Sequence, residues 1–157
     1  MYDLKAVIGG AELLQGVAGN LVGVRPVPLR QGLSLIPLTN ELFDTVSDGS
    51  TTGPLGFWRL PGGSDRVLAT WSESGALAYV EAEYFGGVGE QRAAVWAGGQ
   101  LVLGPVQVAE GEPFPAAGSP ISQALRRLGV RAEDTVDEFT AVGLQQHRHS
   151  RDWLSSL

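Results

Sequence analysis

Cysteine is absent from this chain of 157 residues, and lysine occurs only once, at position 5. Without cysteine the protein has no disulfide, no thiolate nucleophile and no cysteine-ligated zinc. Charged residues are also scarce at 18%, whereas 43% of residues are hydrophobic, so we expect a folded core over most of the length. Twenty-two glycines and nine prolines indicate many turns between short elements.

Acidic residues outnumber basic ones by 17 to 11, which gives a net charge of −6. A nucleic-acid-binding protein normally presents a basic face, and here the arginines at 126, 127 and 131 stand beside Glu133 and Asp134. Direct binding of nucleic acid is therefore not expected. An acidic surface is suited to a basic protein partner, although the same acidity could simply keep the protein soluble.

The apolar stretch at residues 6–24 is interrupted by Glu12, Gln15, Asn20 and several glycines. It predicts neither a signal peptide nor a membrane span, so we expect no membrane association and a cytoplasmic location. The length fits one globular domain over residues 1–157.

The strongest strand pattern lies at residues 76–85, where apolar and polar side chains alternate. After a loop at 86–90 the next strand is predicted at 91–97, and a second hairpin turn follows at Gly98-Gly99, with Trp96 opposite Leu101 and Val95 opposite Val102. This meander predicts an α+β fold with a mainly antiparallel sheet and about three to four short helices packed on it.

Helix starts are predicted where capping residues precede apolar runs, at Thr39, at Ser64 and at Ser119-Pro120. The Gly/Ser/Thr-rich segment near 47–56 is expected to be a mobile loop. A short strand is predicted at 57–60.

No sequence pattern predicts a catalytic residue, a cofactor or a metal ligand. Neither the GxSxG nor the HExxH motif occurs, and residues 86–89 lack the spacing of a phosphate-binding loop. The pair His147 and His149 leaves one alternative open, a small hydrolase or transferase that uses these histidines with a carboxylate such as Asp152 or Glu138.

Glu81 and Glu83 share one face of the predicted strand, roughly 7 Å apart by the strand rise. Glutamates in such a pattern favour a solvated sheet face. If that face is covered instead, these two residues and Tyr79 become the candidates for partner or ligand contacts. The Phe57-Trp58 pair beside the predicted loop is a candidate for an exposed binding anchor.

Three stretches carry a resemblance, and they are LSLIPLTNELFDTVSDG at 33–49, AYVEAEYFGGVGEQRAAVW at 78–96, and SQALRRLGV with DEFTAVGLQQHRHSRDW in the C-terminal part. They resemble small uncharacterised proteins of GC-rich bacteria, some of which look like immunity proteins encoded beside polymorphic secreted toxins. The resemblance implies a non-catalytic protein that neutralises a cognate toxin, expected to be basic, by 1:1 binding.

For that role we expect the contacts to come from the meander and from the aromatic pair, namely Glu81, Glu83, Tyr84, Glu90, Arg92, Phe57 and Trp58. A third alternative is an assembly module that forms a homodimer through an exposed apolar patch.

Overall fold

Six strands form a single sheet in the computed structural model, which describes residues 1–50 and 54–155. The order is β2-β3-β1-β4-β5-β6, and every neighbouring pair is antiparallel. The strands are β1 (Tyr2–Gly10), β2 (Val27–Pro28), β3 (Leu33–Pro37), β4 (Leu77–Phe85), β5 (Val88–Ala97) and β6 (Gln100–Val108).

Short α-helices cover both faces of this sheet, and the described residues contain six of them. They are α1 (Ala11–Gly19), α2 (Asn40–Val46), α3 (Ser64–Trp71), α4 (Pro120–Arg127), α5 (Glu138–Val142) and α6 (Asp152–Ser155). The predicted α+β class is confirmed, and the C-terminal part contributes more helices than the sequence pattern indicated.

The core is divided by the sheet into two clusters because successive side chains of a strand point to opposite faces. On β1, Leu4, Ala6 and Ile8 pack with α4–α6, whereas Val7 packs with α1–α3. We call these two sides the α4–α6 face and the α1–α3 face. Trp153 of α6 is buried in the first of them.

The predicted helix starts are confirmed at two of three places. The Thr39 hydroxyl oxygen accepts a hydrogen bond from the Leu42 amide at 3.2 Å, and the Ser119 hydroxyl does the same for Ser122 at 3.2 Å. Ser64 is not a cap, because Gly63 occupies that position at φ 83° and the buried Ser64 hydroxyl donates to the Pro61 carbonyl. Of the predicted loop near 47–56, residues 51–53 lie outside the described residues.

The second hairpin has Trp96 opposite Leu101, as predicted, but Val95 lies opposite Leu103 and not Val102. The prediction was wrong at that pair because Val102 is an extra residue on β6, which makes a bulge. The predicted strand at 57–60 is also absent, since that described segment is not part of the sheet.

The outer edge of the sheet at β6 is protected against pairing with another strand. Its bulge at Val102 twists the edge, and Pro105 supplies no N–H for a further ladder. In addition, Arg127 donates a side-chain hydrogen bond to the Val102 carbonyl at 2.9 Å. Addition of a strand at this edge, from a second copy or from a partner, would meet all three obstacles.

Candidate protein-binding surface

A series of cross-strand pairs between β4 and β5 runs along the α1–α3 face from the core to the solvent. The pairs are, in order, Leu77 with Trp96, Tyr79 with Ala94, Glu81 with Arg92, Glu83 with Glu90, and Phe85 with Val88. The first two pairs are buried under the helices, and the last pair is exposed. Six of the seven residues predicted for binding lie in or beside this series.

Glu81 is fully buried, so the solvated face favoured from the sequence is wrong at this position. Its carboxylate accepts hydrogen bonds from the backbone amides of Trp58 and Arg59, at 2.7 and 2.8 Å. The Tyr79 hydroxyl donates a third bond at 2.7 Å. Three donors compensate the desolvation of a carboxylate, and Glu81 therefore holds the 57–60 segment against the sheet.

Tyr79 is affected by the same arrangement. Burial, and then the neighbouring Glu81 carboxylate, raise the pKa of the Tyr79 hydroxyl well above its ordinary value. The phenol consequently keeps its proton and remains a donor to Glu81. Nothing in this geometry leaves the Glu81 carboxylate open to a substrate, and its role is structural.

Phe57 is also buried, which corrects its prediction as an exposed anchor. Its ring meets Tyr79 edge-on, with centroids 4.9 Å apart and planes at 83°. Leu60 follows Phe57 into the same core cluster. The 57–60 segment is thus attached by two apolar side chains and by the backbone amides that Glu81 accepts.

Trp58 points outward from this segment and is half-buried. The Arg92 guanidinium carbon lies 4.7 Å from the centre of the indole, and the Lys5 ammonium lies 6.0 Å from it. These distances suit cation–π attraction. Arg92 also donates a hydrogen bond to the Gly56 carbonyl, so it ties the start of the segment to β5.

Three acidic residues form a row across β1, β4 and β5 beyond these cations. Asp3 lies opposite Glu83, and Glu83 lies opposite Glu90. Lys5 bonds to Asp3 and, at 2.9 Å, to Glu83. Within the described residues Glu90 has no ion pair. The row is therefore negatively charged overall, and like charges placed directly opposite repel each other.

Phe85 and Val88 complete the face next to this row, and sequence reasoning did not single them out as contacts. Phe85 is 77% exposed and Val88 49%. The two-residue turn between them has Gly86 at φ 60° and Gly87 at φ 82°, the positive values that a tight hairpin turn requires. Their position immediately beside that glycine turn is the signal that could have identified them.

Tyr84 points to the opposite, α4–α6 face, where it packs partly against the core. Burial raises the pKa of its hydroxyl. Together with Phe114 it lines an open cavity of about 410 Å³ beside the hairpin tip. Of the predicted contacts, Glu83, Glu90, Arg92 and Trp58 are brought together on the α1–α3 face with some exposure, and Glu81 and Phe57 support them from below, whereas Tyr84 lies on the opposite face.

The tail histidines lie outside the β4–β5 series, and only His149 adjoins the acidic row, at Asp3. The ring of His147 packs edge-on against Trp153, with centroids 4.7 Å apart. His149 forms a backbone bridge with Asp3 and lines an open cleft of about 380 Å³ with Asp3, Thr39 and Arg151. The two side chains do not share one site.

No group of three or more His, Cys, Asp and Glu side chains in residues 1–50 and 54–155 is placed to hold a metal ion. The helices of this described part are all too short, or not apolar enough, to cross a membrane. No protein-family model, curated protein or solved structure gives a significant match to the chain.

Proposed function

We propose that this protein is a non-catalytic binding protein, an immunity protein that neutralises a cognate secreted toxin by forming a 1:1 complex in the cytoplasm of the producing cell. The observation that carries the proposal is the acidic row of Asp3, Glu83 and Glu90, which lies directly beside the exposed Phe85–Val88 pair. Apolar anchors rimmed by charges of one sign are typical of protein-binding surfaces.

The charge supports a basic partner. The net charge of −6 and the uncompensated Glu90 produce a potential that attracts cations. Such charges mainly accelerate association, while the buried apolar anchors supply most of the affinity. The resemblance to immunity proteins supports the identity of that partner as a toxin.

The buried residues also support the proposal, because they form the scaffold that holds the binding surface. Glu81 and Phe57 fix the 57–60 segment, and that segment carries Trp58 to the border of the acidic row. Trp58 and Arg92 would contact the rim of a bound toxin. A preformed surface of this kind binds with a smaller loss of conformational entropy.

The test is a pull-down of the tagged protein against the products of adjacent genes, followed by calorimetry and a toxin activity assay. We expect one secreted protein to bind 1:1 and to lose its activity. The double variant Glu83→Lys and Glu90→Lys should weaken the complex and reduce its dependence on salt. Glu133→Lys with Asp134→Lys is the matched control, because it changes the net charge equally at exposed acids elsewhere.

Two results would contradict the proposal. One is that no neighbouring gene product binds. The other is that both double variants weaken a complex to the same extent, which would mean that only the net charge matters.

A second candidate, the small hydrolase or transferase, is favoured by one observation. The cleft of about 380 Å³ combines the imidazole of His149 and the carboxylate of Asp3 with the exposed guanidinium of Arg151, and the last of these attracts anionic groups. Against it, the neighbouring Ser150 hydroxyl oxygen accepts a bond from the Lys5 amide at 2.9 Å and serves the fold. Hydrolysis of phosphate or carboxylate esters that is lost in His149→Ala and retained in His147→Ala would support this candidate.

A further inference from the structure

We infer that the tip of the β4–β5 hairpin, together with the 110–114 loop, is the docking surface for a protein segment that carries arginine beside apolar residues. The inference rests on the proposed function and specifies the chemistry that its site would accept. It also moves the apolar anchor of the interface from Phe57 and Trp58, as predicted from the sequence, to Phe85, Val88 and Phe114.

Besides Met1, three large apolar side chains are exposed at this end of the molecule. Phe85 is 77% exposed, Val88 49% and Phe114 51%. Single exposed apolar residues are ordinary, but a contiguous group marks an interaction surface. Val88 joins the group, since it lies opposite Phe85 and lines the cavity that contains Phe114.

The charged side chains around this group have one sign, and the α-amino group of Met1 is the one cation among the described residues that line its cavities. Two open cavities, of about 490 and 410 Å³, share Tyr84, Val88 and Gly89. Among the described side chains that line them, every charged one is a glutamate, namely Glu83, Glu90, Glu110 and Glu112. A cationic side chain seated in either cavity would face carboxylates while its neighbours in the partner covered the apolar group.

The surface is held in place before any partner arrives. The two glycines of the hairpin turn have the positive φ values of a tight turn, so Phe85 and Val88 are fixed on paired strands. Pro113 and Pro115 flank Phe114 and restrict its backbone. The Glu112 carboxylate accepts a bond from the Ala109 amide at 2.9 Å, which closes the loop.

The charges also select the kind of occupant. A second copy of this chain would bring the same glutamates to the contact, and an anionic membrane surface would be repelled by them. A basic segment, in contrast to both, is attracted by these glutamates. Arginine fits better than lysine, because its planar guanidinium can pair with a carboxylate in bidentate fashion and stack on the ring of Phe85.

The experiment uses two synthetic peptides of equal length and charge, one alternating arginine with leucine and the other arginine with serine. Each is titrated into the isotopically labelled full chain and followed by amide chemical shifts and calorimetry. We expect the arginine–leucine peptide to shift amides at 83–90 and 110–114. It should bind roughly tenfold or more tightly than the arginine–serine peptide, a difference of the size that apolar anchors contribute.

Two pairs of variants distinguish binding through the apolar anchors from non-specific hydrophobic binding. Phe85→Ser with Val88→Ser should weaken the arginine–leucine peptide roughly tenfold. Val22→Ser with Val136→Ser, which removes two valines that are each 93% exposed elsewhere, should leave its affinity unchanged. Equal effects of the two pairs, equal affinity of the two peptides, or shifts confined to other regions would each overturn the inference. Binding of the chain to phosphatidylcholine vesicles through Phe85 and Val88 would also overturn it, in favour of a lipid surface.

The outcome is distinguishable from that of the proposed function. A toxin complex whose hydrogen-exchange footprint lies away from residues 83–90 would retain the function and overturn this docking surface. Peptide binding at the hairpin tip without any toxin among the neighbouring gene products would support the surface and contradict the toxin.

Discussion

Glu83 on β4 and Glu90 on β5 lie directly opposite each other on the α1–α3 face of the sheet. Lys5 contacts only the first of them at 2.9 Å, and no cation in the described part of the chain is paired with the second. We expect the pair to cost stability in the free protein and to attract a cation from a partner. The same two carboxylates therefore connect the energetics of the fold with the proposed binding.

Replacing Glu90 with glutamine should stabilise the free protein by about 0.5 kcal/mol, because the repulsion across the strands is removed. Urea unfolding at low salt measures the change, which should shrink as salt is added. Glu133→Gln is the control and should alter the free energy of unfolding less. A loss of stability in Glu90→Gln would show that the carboxylate has a favourable partner.

Glu81→Gln should destabilise the protein by about 1–3 kcal/mol, since an amide can accept only at one atom and brings its own buried N–H group. Glu81→Ala should cost more, because the amides of Trp58 and Arg59 lose their acceptor. Denaturant unfolding gives both values. Glu83→Gln, on the exposed part of the same strand face, is expected to change stability much less, and equal losses at the two positions would contradict the assigned role of Glu81.

The stacking of Arg92 on Trp58 can be isolated with a double-mutant cycle. Arg92→Ala and Trp58→Leu, made singly and together, should give a coupling energy of about 0.5–1 kcal/mol. Arg92→Lys should recover only part of it, because lysine lacks the planar group. The exposed pair of Arg66 and Asp48, 3.4 Å apart, provides the comparison and should couple more weakly. No coupling between Arg92 and Trp58 would contradict the contact.

All three tyrosines of the chain have a raised pKa, in each case chiefly through burial. Alkaline titration followed by tyrosinate absorbance should therefore show little ionisation at the ordinary value of 10.0 while the protein is folded. The folded-state pKa values exceed the unfolded ones, so the stabilisation is complete below pH 10.0 and is lost as the pH rises through the folded values.

Unfolding at alkaline pH should consequently be cooperative with tyrosine ionisation. In Tyr79→Phe the change in tyrosinate absorbance should begin at no lower pH than in the unmodified protein, because Tyr2 and Tyr84 remain shielded from solvent. Titration of a tyrosine at its ordinary pKa in the folded protein would disprove the burial of that residue.

Two glycines offer a matched test of the hairpin. A Cβ atom on Gly89 would lie 1.8 Å from the Glu83 carbonyl oxygen, so Gly89→Ala should push the strands apart and destabilise the protein by about 1–3 kcal/mol. Gly16→Ala lies in α1 with no atom within 4 Å of the new group, and it should stabilise by about 0.5–1 kcal/mol. Thermal unfolding compares them, and the two substitutions should have opposite signs.

The sequence allowed the hairpin and its two faces to be predicted, because alternation with a period of two assigns each side chain of β4 to a face. It therefore placed Glu81 and Glu83 on the same side, which the structure confirms. Alternation does not show how far along a strand the side chains are covered by other parts of the chain. That limit depends on the 57–60 segment, which precedes Glu81 by more than twenty residues and docks through its backbone amides.

The register at Val95 illustrates a second limit. A bulge at Val102 depends on how β6 fits against α4 and β5, and the Val102 carbonyl is bonded to Arg127 of that helix. Such tertiary preferences leave no pattern in the strand itself. The same holds for the C-terminal helices α5 and α6, which are too short for helical periodicity to identify them.

The distribution of the helices on the sheet has a consequence for biosynthesis. All six strands and the helices of one face are complete when residue 108 has been translated, but the other face is covered only by residues 120–154. Until those residues leave the ribosome, the nascent sheet presents Ala6, Ile8 and Val80 to the solvent. The sheet therefore cannot complete its folding before these residues emerge, and arrest ahead of them would leave a product with an apolar surface that chaperones and proteases recognise.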